Sequence, residues 1–128
     1  MKELKKVLVV DDEPSLRELM TVILSEKGYT VFSAENGVRG LIQFEKEKPD
    51  LVIADIIMPD MEGIELIRTL HKKNRELPII VVSGDVLGRK FLDSARMFGA
   101  RITLKKPFSS EQLCDSVSGL IGEPGGSR

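Results

Sequence analysis

Near the middle of the chain runs Leu51-Val52-Ile53-Ala54-Asp55-Ile56-Ile57-Met58-Pro59-Asp60-Met61-Glu62-Gly63. An apolar run of strand length ends on a carboxylate, and turn chemistry follows at once. An uninterrupted apolar run suits a strand buried on both faces, and such strands belong to parallel sheets covered by helices. Asp55 then leaves the sheet at its carboxyl edge, where open α/β sheets bind their ligands. An aspartate at that point can equally cap or brace a turn. The segment alone does not choose between the two.

The flanking sequence repeats the pattern. Val7 to Val10 reads as a first strand ending in Asp11-Asp12, after which Pro14 opens a helix at a position where its missing N–H costs nothing. Leu16, Leu19, Met20, Ile23 and Leu24 recur at helical spacing, and Gly28 stops that helix as a left-handed cap. Tyr29 to Ala34 is a strand of mixed polarity suited to a sheet edge. Asn36-Gly37 starts a helix with Val38, Leu41 and Ile42 on its apolar face, and Pro49-Asp50 breaks it. Beyond Gly63, Ile64, Leu66, Ile67 and Leu70 form a third helix. Pro78 introduces the strand Ile79 to Val82, which ends in Ser83-Gly84-Asp85. Leu87, Phe91, Ala95 and Phe98 mark a helix stopped by Gly99. Arg101 to Leu104 is a fifth strand ending in Lys105-Lys106-Pro107-Phe108. Ser109 with Gln112 predicts a capping box for a last helix burying Leu113, Val117, Leu120 and Ile121. Five alternations of strand and helix predict a three-layer, doubly wound α/β fold with a mainly parallel five-stranded sheet, and the flavodoxin-like order 2-1-3-4-5 would set the first, third, fourth and fifth strands side by side. Residues 1–121 make one domain, and 122–128 read as a flexible Gly/Pro/Ser tail.

Bulk properties narrow the function. With 128 residues, 30% charged and 41% hydrophobic, the chain has the composition of one globular domain. A net charge of -1 gives no electrostatic footprint for nucleic acid or an anionic membrane. No apolar run approaches ~20 residues, and Asp11 and Asp12 interrupt the amino-terminal run too soon for a signal peptide. The single cysteine, Cys114, fits a structural thiol in a reducing cytosol, so the chain is expected to be cytoplasmic. One cysteine and one histidine, His71, cannot build a zinc site, and a Ser-His-Asp triad would have to use His71 in a basic helix end. Neither GxGxxG nor GxxxxGK[ST] is present, which argues against dinucleotide and P-loop nucleotide binding.

Polar residues end four of the five predicted strands: Asp11-Asp12, Asp55, Ser83 and Lys105-Lys106. In the strand order above they share one edge and surround one crevice. Each alone has an explanation in caps and turns, but four at one edge do not. Three carboxylates and one lysine sum to -2, which a divalent cation cancels. Carboxylate and carbonyl oxygens without histidine or thiolate are hard ligands suited to Mg²⁺. A carboxylate beside Mg²⁺, with lysine and hydroxyl donors nearby, is a setting for phosphoryl transfer onto aspartate.

These residues resemble the receiver domain of two-component response regulators, the CheY type. The likeness runs from Leu4 to about Ile121 and is carried by Val-Val-Asp-Asp-Glu-Pro, Asp55 with Met58-Pro59-Asp60-Met61-Glu62-Gly63, Ser83-Gly84 and Lys106-Pro107-Phe108. The resemblance implies that Asp55 is the phosphoacceptor, that Asp11 and Asp12 form an acid pocket with Asp12 the favoured direct Mg²⁺ ligand, and that the carbonyl of Ile57 supplies a further metal oxygen. It implies that Ser83 and Lys106 hold phosphoryl oxygens across a cis Lys106–Pro107 bond, while Lys105 faces away. It also implies a sensor histidine kinase or phosphotransfer protein as donor. A downstream effector would read the face built from the helix after the fourth strand, the fifth strand and the last helix. One departure stands out. Family members usually carry Tyr or Phe three residues before the lysine as a rotameric switch, and here that position is Thr103. Output is therefore expected to depend on backbone shifts after Ser83 and in the following helix.

Two other readings are open to test. A metal-dependent aspartyl phosphatase would carry a second Asp two residues after the nucleophile, where this chain has Ile57, and would add a cap domain. A pseudo-receiver that binds partners without taking a phosphoryl group is opposed by the intact set Asp12, Asp55, Ser83 and Lys106.

Overall fold

The computed structural model describes residues 4–55, 62–84, 93 and 95–124. In chain order the elements are β1 (Lys6–Val10), α1 (Pro14–Lys27), β2 (Thr30–Ala34), α2 (Gly37–Glu47), β3 (Leu51–Asp55), α3 (Glu62–Lys73), β4 (Ile79–Ser83), β5 (Ile102–Lys105) and a last helix, Ser110–Ile121. All strand pairs are parallel, in the order β2-β1-β3-β4-β5. The predicted architecture is the observed one, with the mixed-polarity strand β2 at an edge.

The apolar runs of β1, β3 and β4 are explained by two cores, one on each face of the sheet. Leu8, Val10, Val52, Ala54, Ile79 and Val81 alternate onto one face and meet Leu66, Ile67 and Leu70 of α3 with Leu41 and Phe44 of α2. Val7, Val9, Leu51, Ile53, Ile80 and Val82 point the other way, onto Met20 and Leu24 of α1 and Leu113 and Val117 of the last helix. Because both faces are covered, neither phase of the strand alternation can be polar.

Helix ends follow local chemistry. Gly28 closes α1 at φ 115, a left-handed conformation natural to glycine. The Asn36 side chain accepts the Arg39 N–H at the start of α2, and Ser109 and Gln112 form the expected capping box. Gly99 lies at φ 128, with the His71 ring where a Cβ would stand.

The predicted apolar stripes need correction at three positions. Leu19 is 52% exposed, Val38 63% and Ile42 51%, so none of them faces a core. In α2 the inward face joins Leu41 and Phe44 to the buried Gly37 and Gly40. A Cβ on Gly40 would stand 3.0 Å from Val10 Cγ2, so the helix lies down on β1 through its backbone. The fifth strand runs one residue later than expected, ending on Lys105. Of the helix expected after the fourth strand, Leu87 and Phe91 lie outside the described residues, while Ala95 and Phe98 join the α3-side core. The segment read as tail is tied down at its start: the Tyr29 hydroxyl donates to Gly122 O at 2.8 Å, Lys5 Nζ donates to Ile121 O, and Pro124 packs against Gly28.

Candidate functional site

Parallel pairing brings the carboxyl ends of β1, β3, β4 and β5 to one edge. Asp11 follows β1 directly, and its N–H donates to Ala34 O at 3.1 Å, continuing the β1–β2 pairing by one residue. Asp55 is the last residue of β3, and Ser83 is the last of β4. Lys106 follows β5, and its N–H donates to Ser83 O at 2.8 Å. The register Ser83↔Lys105 therefore fixes where Lys106 leaves the sheet.

The side chains converge. Carboxylate oxygens of Asp11, Asp12 and Asp55 all lie within 4.8 Å of one another. Lys106 Nζ stands 3.1 Å from Asp55 Oδ2. Asp11, Asp55 and Ser83 are buried at 0%, 5% and 2% exposure, while Asp12 is exposed. The Lys106–Pro107 bond is cis, and Lys105 is exposed, as the resemblance implied. A Cβ on Gly84 would stand 3.3 Å from the Lys106 Cδ, so glycine leaves room for the lysine stem. Ile57 lies outside the described residues.

Electrostatics mark Asp11 as the strained member. Its Oδ1 accepts the Glu13 N–H at 2.9 Å, yet its pKa is raised from 3.8 to about 6. Burial is the main cause, opposed by the Glu13 N–H. The Asp55 charge adds to the rise, Lys106 opposes it, and Asp12 contributes a smaller rise. Two buried polar atoms here, Asp11 Oδ2 and Ser83 Oγ, have no hydrogen-bond partner among the described residues. Buried polar groups are normally satisfied, so orphans at one edge indicate room for a missing partner. Three carboxylates offering hard oxygens fit a Mg²⁺ ion, and an unpartnered hydroxyl beside a lysine fits an anionic oxygen.

Thr103, at the position of the family's aromatic switch, accepts a hydrogen bond from Arg96 Nη2 at 3.4 Å. Sequence reasoning missed Arg17, whose Nη1 donates to the Asp11 carbonyl at 2.7 Å, and the backbone N–H of Glu13. The Glu13 contact is an Asx turn whose signal is Asp11 itself, whereas Arg17 grips a backbone carbonyl, for which no residue pattern exists.

Residues 7–118 match the family model described as response regulator receiver domain. Over 115 residues the chain is 30% identical to sporulation initiation phosphotransferase F of Bacillus subtilis, covering 88% of this chain and 90% of that protein. It is 33% identical over 123 residues to the alkaline phosphatase synthesis transcriptional regulatory protein PhoP of the same organism, covering 91% of this chain and 48% of that one. The chain thus spans about half the length of this relative, as it does of several others. Among solved structures, a CheY-like response regulator receiver domain protein from Methanospirillum hungatei JF-1 superposes with a TM-score of 0.86 at 31% identity, covering 91% of this chain and 93% of that one. The response regulator protein TrrA of Thermotoga maritima, in complex with Mg²⁺-BeF, does so with a TM-score of 0.80 at 38% identity, covering 91% and 98%.

Proposed function

The chain belongs to the response regulator receiver domain family of two-component systems, and from that premise we propose that Asp55 is its phosphoacceptor. The observation that carries this reading is the setting of Asp55: buried at the sheet edge, 3.1 Å from Lys106 Nζ, and beside the orphaned hydroxyl of Ser83. A carboxylate oxygen of Asp55 attacks phosphorus in line. The phosphoryl–nitrogen bond of a phosphohistidine donor breaks, its electron pair stays on that nitrogen, and the ring, already protonated on its other nitrogen, leaves as neutral imidazole. Lys106 Nζ neutralises one phosphoryl oxygen, and the Ser83 hydroxyl donates to another. Burial of Asp55 keeps bulk water from competing with the donor.

Asp11, Asp12 and Asp55 would hold Mg²⁺, with the Ile57 carbonyl as a further ligand. When bound, the ion neutralises the carboxylates and the charge on the transferring phosphoryl group. The Mg²⁺-BeF complex of TrrA supports the choice of metal. The donor is a sensor histidine kinase or phosphotransfer protein, and the chain works in the cytoplasm. A phosphoryl group on Asp55 adds negative charge that Lys106 and Ser83 answer. That response shifts the backbone after Ser83 and the helix that follows, since Thr103 cannot act as an aromatic switch.

Intact-protein mass after incubation with acetyl phosphate tests the reading. One phosphoryl adduct is expected with Mg²⁺, lost on hydroxylamine treatment and absent from Asp55→Asn. An adduct that persists in D55N refutes Asp55 as acceptor. No adduct under any metal condition would leave a partner-binding module in place of a phosphorylated switch.

A further inference from the structure

We propose that Arg17 is a positioning residue for the acidic site: it holds the peptide between Asp11 and Asp12 so that the Asp12 carboxylate stays aimed into the cluster. The proposal rests on reading Asp11, Asp12 and Asp55 as a Mg²⁺ site.

The polar groups of Asp11 are nearly all committed. Its N–H donates to Ala34 O at 3.1 Å, and its Oδ1 accepts the Glu13 N–H at 2.9 Å. Its carbonyl accepts Arg17 Nη1 at 2.7 Å, the shortest of the three. Among the described residues only Oδ2 finds no partner, and it is buried. The Asp11 carbonyl and the Asp12 N–H share one rigid plane. Anchoring that carbonyl therefore constrains ψ of Asp11 and φ of Asp12, and with them the direction in which the Asp12 side chain leaves the backbone.

Asp12 needs such an anchor. It is exposed, and its side chain accepts no hydrogen bond from the described residues, yet its carboxylate lies within 4.8 Å of two others. Like charges at that distance repel, and an unheld carboxylate would swing toward water. Arg17 is itself braced. Its N–H donates to Glu13 O at 3.0 Å, its carbonyl accepts the Thr21 hydroxyl at 2.8 Å, and its side chain is half-buried. The first turn of α1, started by Pro14, thus forms a rigid base for the loop that carries two of the three carboxylates.

Groups that orient metal ligands from behind typically change affinity by about 10–100-fold when removed. The test is a Mg²⁺ titration of the full chain followed by amide NMR, comparing wild type, Arg17→Met and Arg17→Lys. R17M is expected to weaken Mg²⁺ binding about tenfold. It should also move the Asp12 amide resonance in the metal-free protein, a readout independent of phosphorylation. R17K, which keeps a cationic donor, should recover affinity to within about threefold of wild type, judged against the same scale. An R17M that binds Mg²⁺ like wild type with its Asp12 resonance in place overturns the proposal. So does a loss in R17M that R17K leaves unrelieved. Should R17M not fold, Arg17→Gln, whose amide is too short to reach the carbonyl, takes its place. Wild-type protein that takes no Mg²⁺ refutes the site reading itself, whereas a binding wild type beside an indifferent R17M refutes this proposal alone.

Discussion

Replacing Asp11 by asparagine should make the metal-free protein more stable at neutral pH, although it removes a carboxylate from a candidate metal site. The folded state raises the Asp11 carboxyl from 3.8 to about 6, chiefly through burial. Between those values the native protein binds a proton that the unfolded chain has released, so stability falls as pH rises through the window. At about 1.36 kcal/mol per tenfold change in proton affinity, ionising Asp11 costs up to about 3 kcal/mol at pH 7. The cost is absent below the unfolded value. Asp11→Asn would keep the contact to Glu13, because the amide carbonyl oxygen can accept the N–H now held by Oδ1 at 2.9 Å. The new NH₂ group would then stand where the orphaned Oδ2 is, as a donor toward the neighbouring carboxylates. Urea unfolding in EDTA is the assay. With a slope of about 1–3 kcal/mol per molar, the variant's midpoint should rise by roughly 1–3 M at pH 7. The gap between variant and wild type should close by about 2 kcal/mol on going to pH 4. Saturating Mg²⁺ should raise the wild-type midpoint by mass action and leave the variant's nearly unmoved. A variant less stable than wild type at pH 7, or a gap that ignores pH, would refute the assignment of a buried, charge-repelled carboxylate at Asp11.

Three further substitutions probe the frame that carries the site. Gly99→Ala should destabilise by about 1–3 kcal/mol in urea, since φ is 128 and the new Cβ would stand 2.6 Å from His71 Nδ1; adding His71→Ala should recover only the steric part. Gly40→Val should cost about 1–3 kcal/mol, because its Cβ would start 3.0 Å from Val10 Cγ2 and force α2 away from β1; an unchanged midpoint would show that the helix lies loosely on the strand. Ser109→Ala removes the side-chain half of the capping box and should lower stability by about 1 kcal/mol, with Ser109→Asp restoring most of it in the same assay.

The legible and illegible parts of this molecule divide by what each residue touches. The strands could be read because both sheet faces are covered, which leaves Val7 to Val10, Leu51 to Ala54 and Ile79 to Val82 no polar phase. Once the strands were placed, parallel order alone put Asp11, Asp55, Ser83 and Lys106 at one edge. The α2 face misled for the opposite reason. Val38 and Ile42 have helical spacing, but the buried positions of α2 include Gly37 and Gly40, and close contact with β1 is made at Gly40, which carries no hydrophobic signal. Leu19 shows that an apolar residue on a helix can be left to solvent when Met20 and Leu24 already fill the space. Within the site, two adjacent aspartates look alike in sequence. Asp11 differs because its N–H extends the β1–β2 pairing and draws its side chain inside, while Asp12, one residue on, is exposed. Arg17 is invisible for a related reason, since it grips a carbonyl that every residue type possesses. Chemistry written in side chains meeting side chains could be anticipated from strand ends, whereas the support beneath it runs through the backbone and is recognised only when the chain is seen folded.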